Sequence, residues 1–179
     1  MGGPVFYKQI RIGKDLKPFK IYKFRSMKTN RKELDSNLTH DEMVTKVGKF
    51  IRRTSIDELP QIINILKGEM AFIGPRPWIE EYYKWFDDNQ KRRSEVLPGL
   101  SGLAQVMGRN GLSINDKIKY DVEYVDTMNF KLDLKIWHET LKTIFCGQEA
   151  EISENGIKDE IEELKQNRIA KKKPIKVSA

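Results

Sequence analysis

Two runs rich in β-branched and aromatic residues, PVFYKQIRIG and FKIYKFRSM, flank the turn-like GKDLKP near the start of the chain. Runs of this kind around a short polar turn form a β-hairpin. Downstream the apolar residues are spaced for helices. In QIINILKG they fall at 62, 63, 65 and 66, with Gly68 as a stop signal, which reads as a short, mostly buried helix. WIEEYYKWFDDNQKRR reads as a helix with Trp78, Tyr82, Trp85 and Phe86 on one side. Residues 115–128 and 133–146 give two more, the second with Leu134, Trp137, Leu141 and Ile144 at helical spacing. The expected fold is α+β: a short N-terminal β-hairpin with several helices around a phosphate-binding pocket.

Punctuation divides the rest. Residues 29–46 are polar and low in aromatics, so they read as a connection or short helix. MAFIGPRP is a small apolar run ended by Pro75-Arg76-Pro77, which locks the backbone on both sides of an arginine. LPGLSGLAQVMGRNGLS, with four glycines, reads as loop and short strand. From Glu151 the chain turns to charged, lysine-terminated sequence, so residues 1–150 are expected to form the main domain and 151–179 a charged C-terminal helix and tail outside the main core.

Composition narrows the chemistry. The hydrophobic fraction of 39% supports a packed core. One cysteine, Cys146, excludes an internal disulfide and a cysteine-rich zinc site. The net charge is +7, and residues 1–28 carry eight Lys/Arg against one acid, Asp15. Such a basic face attracts phosphates, whether of nucleic acid, nucleotides or lipid headgroups. The aromatic residues form no basic–aromatic stacking pattern, which disfavours nucleic acid. No apolar run reaches the ~18 residues of a membrane span.

TSIDELPQ sets Asp57 beside Glu58 where a helix begins, with Arg52 and Arg53 before it and Pro60 after. Two readings stand. Ser55-x-x-Glu58 matches a capping box, and both acids gain from the positive end of a helix dipole. Alternatively, an ionised Asp attacks a phosphoryl group. Attack of an anion on an anion needs neutralisation, which a hard cation such as Mg²⁺ and nearby arginines supply. Arg76 and Arg109, the latter in GRNG, are such donors.

GPVFYKQIRIG, FKIYKFRSM, RRTSIDELPQIINILKGEMAFIGPRP, LPGLSGLAQVMGRNGLS and YDVEYV…LDLKI occur in this order. Together they resemble the bacterial sugar transferases known as monotopic phosphoglycosyl transferases, the small type that initiates glycoconjugate assembly, over about residues 2–147. The resemblance implies transfer of a phospho-sugar from a UDP-sugar to polyprenol phosphate through a covalent aspartyl-phosphosugar. UMP is released, Mg²⁺ serves as cofactor, and the reaction is the first membrane step of a surface glycan such as a capsule. It implies Asp57 as nucleophile and Glu58 as its assistant, both near the metal. It implies Arg76 as a phosphate contact and Arg109 as a nucleotide or sugar contact. Arg52, Lys23, Arg25 and Asp121 fall on further family positions at the substrate.

The resemblance also implies work at a membrane surface, on the cytoplasmic face of the bacterial inner membrane. Family members carry an apolar re-entrant helix directly before the GPVF strand. The opening MGGPVFYKQ is expected to mark a start just after such a segment, and an inactive fragment that binds nucleotide-sugar or anionic membrane is the alternative reading. Trp78, Tyr82, Trp85 and Phe86 are expected to divide between core and bilayer interface, with Lys84, Lys91, Arg92 and Arg93 suited to headgroups. Asp121 reads equally as a surface helix charge, Asp133 as a helix cap, and His40 and His138 as isolated residues. The tail helix offers a face for a homo-oligomer, and loop 107–116 is the expected seat of sugar specificity.

Overall fold

β1 (Phe6–Ile12) and β2 (Pro18–Phe24) pair antiparallel, from Phe6 opposite Phe24 to Ile12 opposite Pro18. This computed structural model describes residues 4–27, 44–108, 111–145 and 157–172. Residues paired directly across a hairpin share a face, so Tyr7, Gln9 and Arg11 stand beside Lys23, Ile21 and Phe19.

The chain beyond β2 is tied back by α1 (Lys46–Arg53). Thr45 caps α1 by accepting from Gly48 N at 2.9 Å, and its own N–H donates to Ser26 O at 3.2 Å. Gly48 lies directly on that Ser26 carbonyl, where a Cβ would stand 2.0 Å away. A 3-10 turn (Ile56–Gln61) follows, entered through Ser55 in the left-handed region at φ 56°, and runs into α2 (Ile62–Leu66). α2 stops at Gly68, φ +72°.

The expectation of a mostly buried α2 is overturned. Ile62, Ile63 and Leu66 are exposed, and the buried residue is polar Asn64, 0% exposed. Its amide donates to Lys20 O and Glu69 Oε2, both at 2.7 Å, and accepts from Tyr22 N at 3.2 Å. A fully satisfied buried amide fastens α2 to β2 where apolar packing does not.

β3 (Ala71–Ile73) and β4 (Gly99–Ser101) form a parallel pair. Between them, the single helix expected over WIEEYYKWFDDNQKRR is instead α3 (Glu80–Tyr83) and α4 (Asp88–Lys91). Asp87 breaks it: its backbone is extended, and with Gln90 it forms a capping box that starts α4 afresh. α5 (Leu103–Gly108), α6 (Ile114–Thr127), α7 (Phe130–Phe145) and α8 (Ile157–Lys172) complete the described chain. Asp133 is not the cap of α7. Asn129 Oδ1 accepts from Leu132 N at 3.0 Å, while Asp133 accepts from Tyr124 Oη at 2.8 Å.

The core joins Trp78, Ile79, Tyr82 and Phe86 to Ile114, Ile118 and Val122 of α6 and Leu164 of α8. Three of the four aromatic residues expected to divide between core and interface are therefore buried, and Trp85 is half-buried. The tail helix expected outside the core is part of it, because Ile161 and Leu164 give a charged helix one narrow apolar strip. α7 shows the reverse. Leu134, Trp137, Leu141 and Ile144 do share a face, but that face is exposed, and it is Ile136 that is buried. Among the described residues no helix is long and apolar enough to cross a membrane.

Candidate active site

The two adjacent acids stand in the first turn of the 3-10 segment, and they do not cap it by a box. Ser55 makes no side-chain cap bond. The Glu58 side chain turns instead toward β2 and the PRP segment. Its Oε1 accepts from Lys23 Nζ and from Arg76 Nη2, each at 2.6 Å. Glu58 and Lys23 are 18% and 19% exposed and Arg76 is 42% exposed, so one carboxylate joins three chain segments at the edge of solvent.

Electrostatics split the pair. Burial alone would raise the Glu58 carboxyl, but Arg76 and Lys23 outweigh it and hold it well below the usual carboxylate range. Asp57 moves the other way: burial, then the charge of Glu58, raise it against the opposing pull of Lys23, Arg52 and Arg76. Burial also lowers the Lys23 ammonium against the pull of Glu58. Among the described residues Asp57 has no hydrogen-bonded or ion-paired partner. The result is an uncommitted carboxylate beside three cations, one of which, Arg52, is oriented by its Nε bond to Ser26 Oγ at 2.9 Å.

The sequence-expected residues fall into three groups. Lys23, Arg52, Asp57, Glu58 and Arg76 gather at this site. Arg25 lies just past β2, its backbone N–H bonded to Val5 O at 2.9 Å. Arg109 lies outside the described residues. Asp121 stands behind the site rather than in it. It is 1% exposed and pairs with Arg93, whose Nε and Nη2 reach Asp121 Oδ2 at 3.0 and 2.5 Å.

Arg93, expected among the cations suited to headgroups, is 2% exposed. Its Nη1 donates to Tyr83 Oη at 2.9 Å, its Nη2 to Arg76 O at 2.7 Å, and its guanidinium lies 4.1 Å from the Trp78 ring centre. Nothing in KRRSEV separates this arginine from its neighbours. Ser26 was also missed, although it stands inside the KFRSM motif that pointed to Lys23.

For a divalent ion, no group of three or more His, Cys, Asp or Glu side chains converges among the described residues. The donor set is Asp57, open, and Glu58, whose Oε1 already serves two cations. That fits Mg²⁺, which commonly takes one or two carboxylates and completes its shell with waters and substrate phosphates. His138 is exposed on α7 and does not join the site.

The family model for bacterial sugar transferases matches residues 1–147. An uncharacterized sugar transferase of Bacillus subtilis (strain 168), EpsL, is 46% identical over 83% of this chain and 73% of its own length. The UDP-glucose:undecaprenyl-phosphate glucose-1-phosphate transferase of Escherichia coli (strain K12) is 41% identical over 81% of this chain. The UDP-N-acetylgalactosamine-undecaprenyl-phosphate N-acetylgalactosaminephosphotransferase of Aeromonas hydrophila is likewise 41% identical over 81%. The matched region makes up 33% and 36% of those two longer proteins.

Proposed function

The chain belongs to the bacterial sugar transferase family, and from that premise we propose that it transfers a sugar phosphate from a UDP-sugar to polyprenol phosphate through a covalent Asp57 intermediate. The observation that carries the reading is the split carboxylate pair: Asp57 unpaired among the described residues, Glu58 locked by Lys23 and Arg76. The relatives' names supply the substrate class.

In the first half-reaction an Asp57 carboxylate oxygen attacks the sugar-bearing phosphorus. The bond from that phosphorus to the bridging oxygen breaks, and UMP leaves with the electron pair. In the second, a polyprenol phosphate oxygen attacks the same phosphorus and Asp57 departs as carboxylate. Lys23, Arg52 and Arg76 neutralise the phosphates and the charge that develops between them. Glu58 keeps Lys23 and Arg76 in place and, being ionised, opposes the burial that lowers the Lys23 ammonium. Asp57, with Glu58 beside it, would hold Mg²⁺, which when bound lowers the repulsion between carboxylate and phosphate. Arg25 and Arg109 are assigned to the substrate by family position alone.

The lipid acceptor is expected to approach across Leu59, Ile62, Ile63 and Leu66, which are exposed on the segment that carries Asp57. These exposed apolar residues, and separately the outward stripe of α7, suit work at the cytoplasmic face of the inner membrane. Incubation of the chain and its Asp57→Asn variant with Mg²⁺ and a panel of UDP-sugars, followed by intact mass, tests the reading. A gain of one sugar phosphate is expected in the parent only. An equal gain in Asp57→Asn removes the nucleophile assignment, and no gain in either removes the covalent route.

A further inference from the structure

α8 lies outside residues 1–147, the span matched by the family, yet it reaches the back of the candidate site. Leu164 is 2% exposed in the core, and Glu160 makes the contact that matters. Its carboxylate accepts a short hydrogen bond from Tyr82 Oη and another from Lys117 Nζ of α6 at 2.9 Å. The Tyr82 ring packs on Trp78 with centres 5.0 Å apart. Trp78 is the ring over which the Arg93 guanidinium lies, at 4.1 Å, and Arg93 holds the Arg76 carbonyl at 2.7 Å. The carbonyl is an effective handle because Pro75 and Pro77 restrict the backbone on both sides of Arg76.

The contacts form one unbroken physical path from α8 to the arginine that meets Glu58. We propose that α8 is a positioning strap, with Glu160 as the residue that sets the Tyr82–Trp78–Arg93 platform and thereby the placement of Arg76. The inference rests on the phosphate-binding role given to Arg76 above. A buried phenol needs a partner for its O–H, and a charged acceptor forms the stronger bond. Without Glu160, Tyr82 and Lys117 lose their shared acceptor and the platform is free to shift. Displacements of this kind, carried through packed side chains, alter binding by about tenfold.

The test uses the full chain and UDP, the part common to all the donors, with affinity read by calorimetry well below the unfolding temperature of every variant. Glu160→Leu is expected to weaken UDP about tenfold, and Glu160→Gln, which keeps an acceptor for Tyr82, to stay within about twofold of the parent. Ile136→Val, a buried change in α7 away from the platform, serves as the stability control and is expected to leave affinity unchanged. If Glu160→Leu binds UDP like the control, the strap is overturned while the transfer reading stands. If the parent binds UDP and forms no sugar-phosphate adduct, the covalent route falls and the strap is judged on the affinity ratio. A parent that does not bind UDP overturns both.

Discussion

Asp57 and Glu58 are neighbours in sequence with opposite electrostatic fates, and pH separates them. Glu58, with its folded pKa depressed by Arg76 and Lys23, contributes stability that is present above its unfolded value and lost as pH falls through the folded one. Asp57 has the opposite sign. Its raised pKa means the folded state holds that proton more readily, so its ionisation costs stability as pH rises. In the proposed route only the ionised Asp57 attacks phosphorus, so the acid limb of kcat/KM for adduct formation is expected above ~3.9, the ordinary aspartate value. Lys23→Met removes a cation that lowers Asp57 and is expected to move this limb to higher pH, with a reduced plateau. The pH profiles of parent and variant check it. A limb at the ordinary aspartate position, unmoved by Lys23→Met, contradicts the assignment.

At the scale of elements, the site depends on how α1 meets the end of β2. Gly48 allows this contact, because any Cβ there would lie 2.0 Å from the Ser26 carbonyl oxygen, a backbone atom that cannot swing aside. Gly48→Ala is expected to destabilise the fold by about 2 kcal/mol and to sharply lower adduct formation, since Arg52 is oriented by Ser26 Oγ. Gly68→Ala, at positive φ with nothing within 4 Å of the added methyl, is expected to cost about 1 kcal/mol and leave the adduct intact. Urea unfolding and intact mass on both variants distinguish packing at the site from general loss of stability. The hairpin and the spans of α6 and α7 were legible in the sequence, because alternation and helical spacing are local signals. The β3–β4 pairing was not, since three-residue strands joined in parallel carry almost no local pattern. The break at Asp87 competes locally with the helical spacing of Trp78, Tyr82, Trp85 and Phe86, so the capping box of Asp87 and Gln90 does not stand out in the sequence. Whether Glu58 caps a helix or holds an arginine was likewise undecidable locally, because its partners Lys23 and Arg76 come from segments far apart in the chain. The Arg93–Asp121 pair was illegible for the same reason.

For the molecule as a whole, the proposed transfer demands a surface that brings a lipid phosphate to Asp57. Scattered exposed apolar residues need no explanation, but contiguous ones do. α7 presents Leu134, Trp137, Leu141 and Ile144 in one outward stripe, and Phe72 of β3 extends it by packing edge-on against Trp137 with ring centres 6.0 Å apart. A second copy covering the stripe and a bilayer interface are the two ways to remove it from water. The excess charge of +7 favours the bilayer, since like-charged copies repel while anionic headgroups attract. The chain is therefore expected to sediment with vesicles containing anionic phospholipid, and less so as salt rises. Leu134→Asp with Leu141→Asp is expected to weaken this binding about tenfold, because two apolar contacts are lost and two repulsive charges gained. Both side chains are exposed, so the fold and donor-side adduct formation on Asp57 are expected to survive. Binding that salt abolishes but the double variant leaves intact would make the association purely electrostatic. A parent that runs as a dimer without lipid, and a double variant that runs as a monomer, would assign the stripe to a second copy.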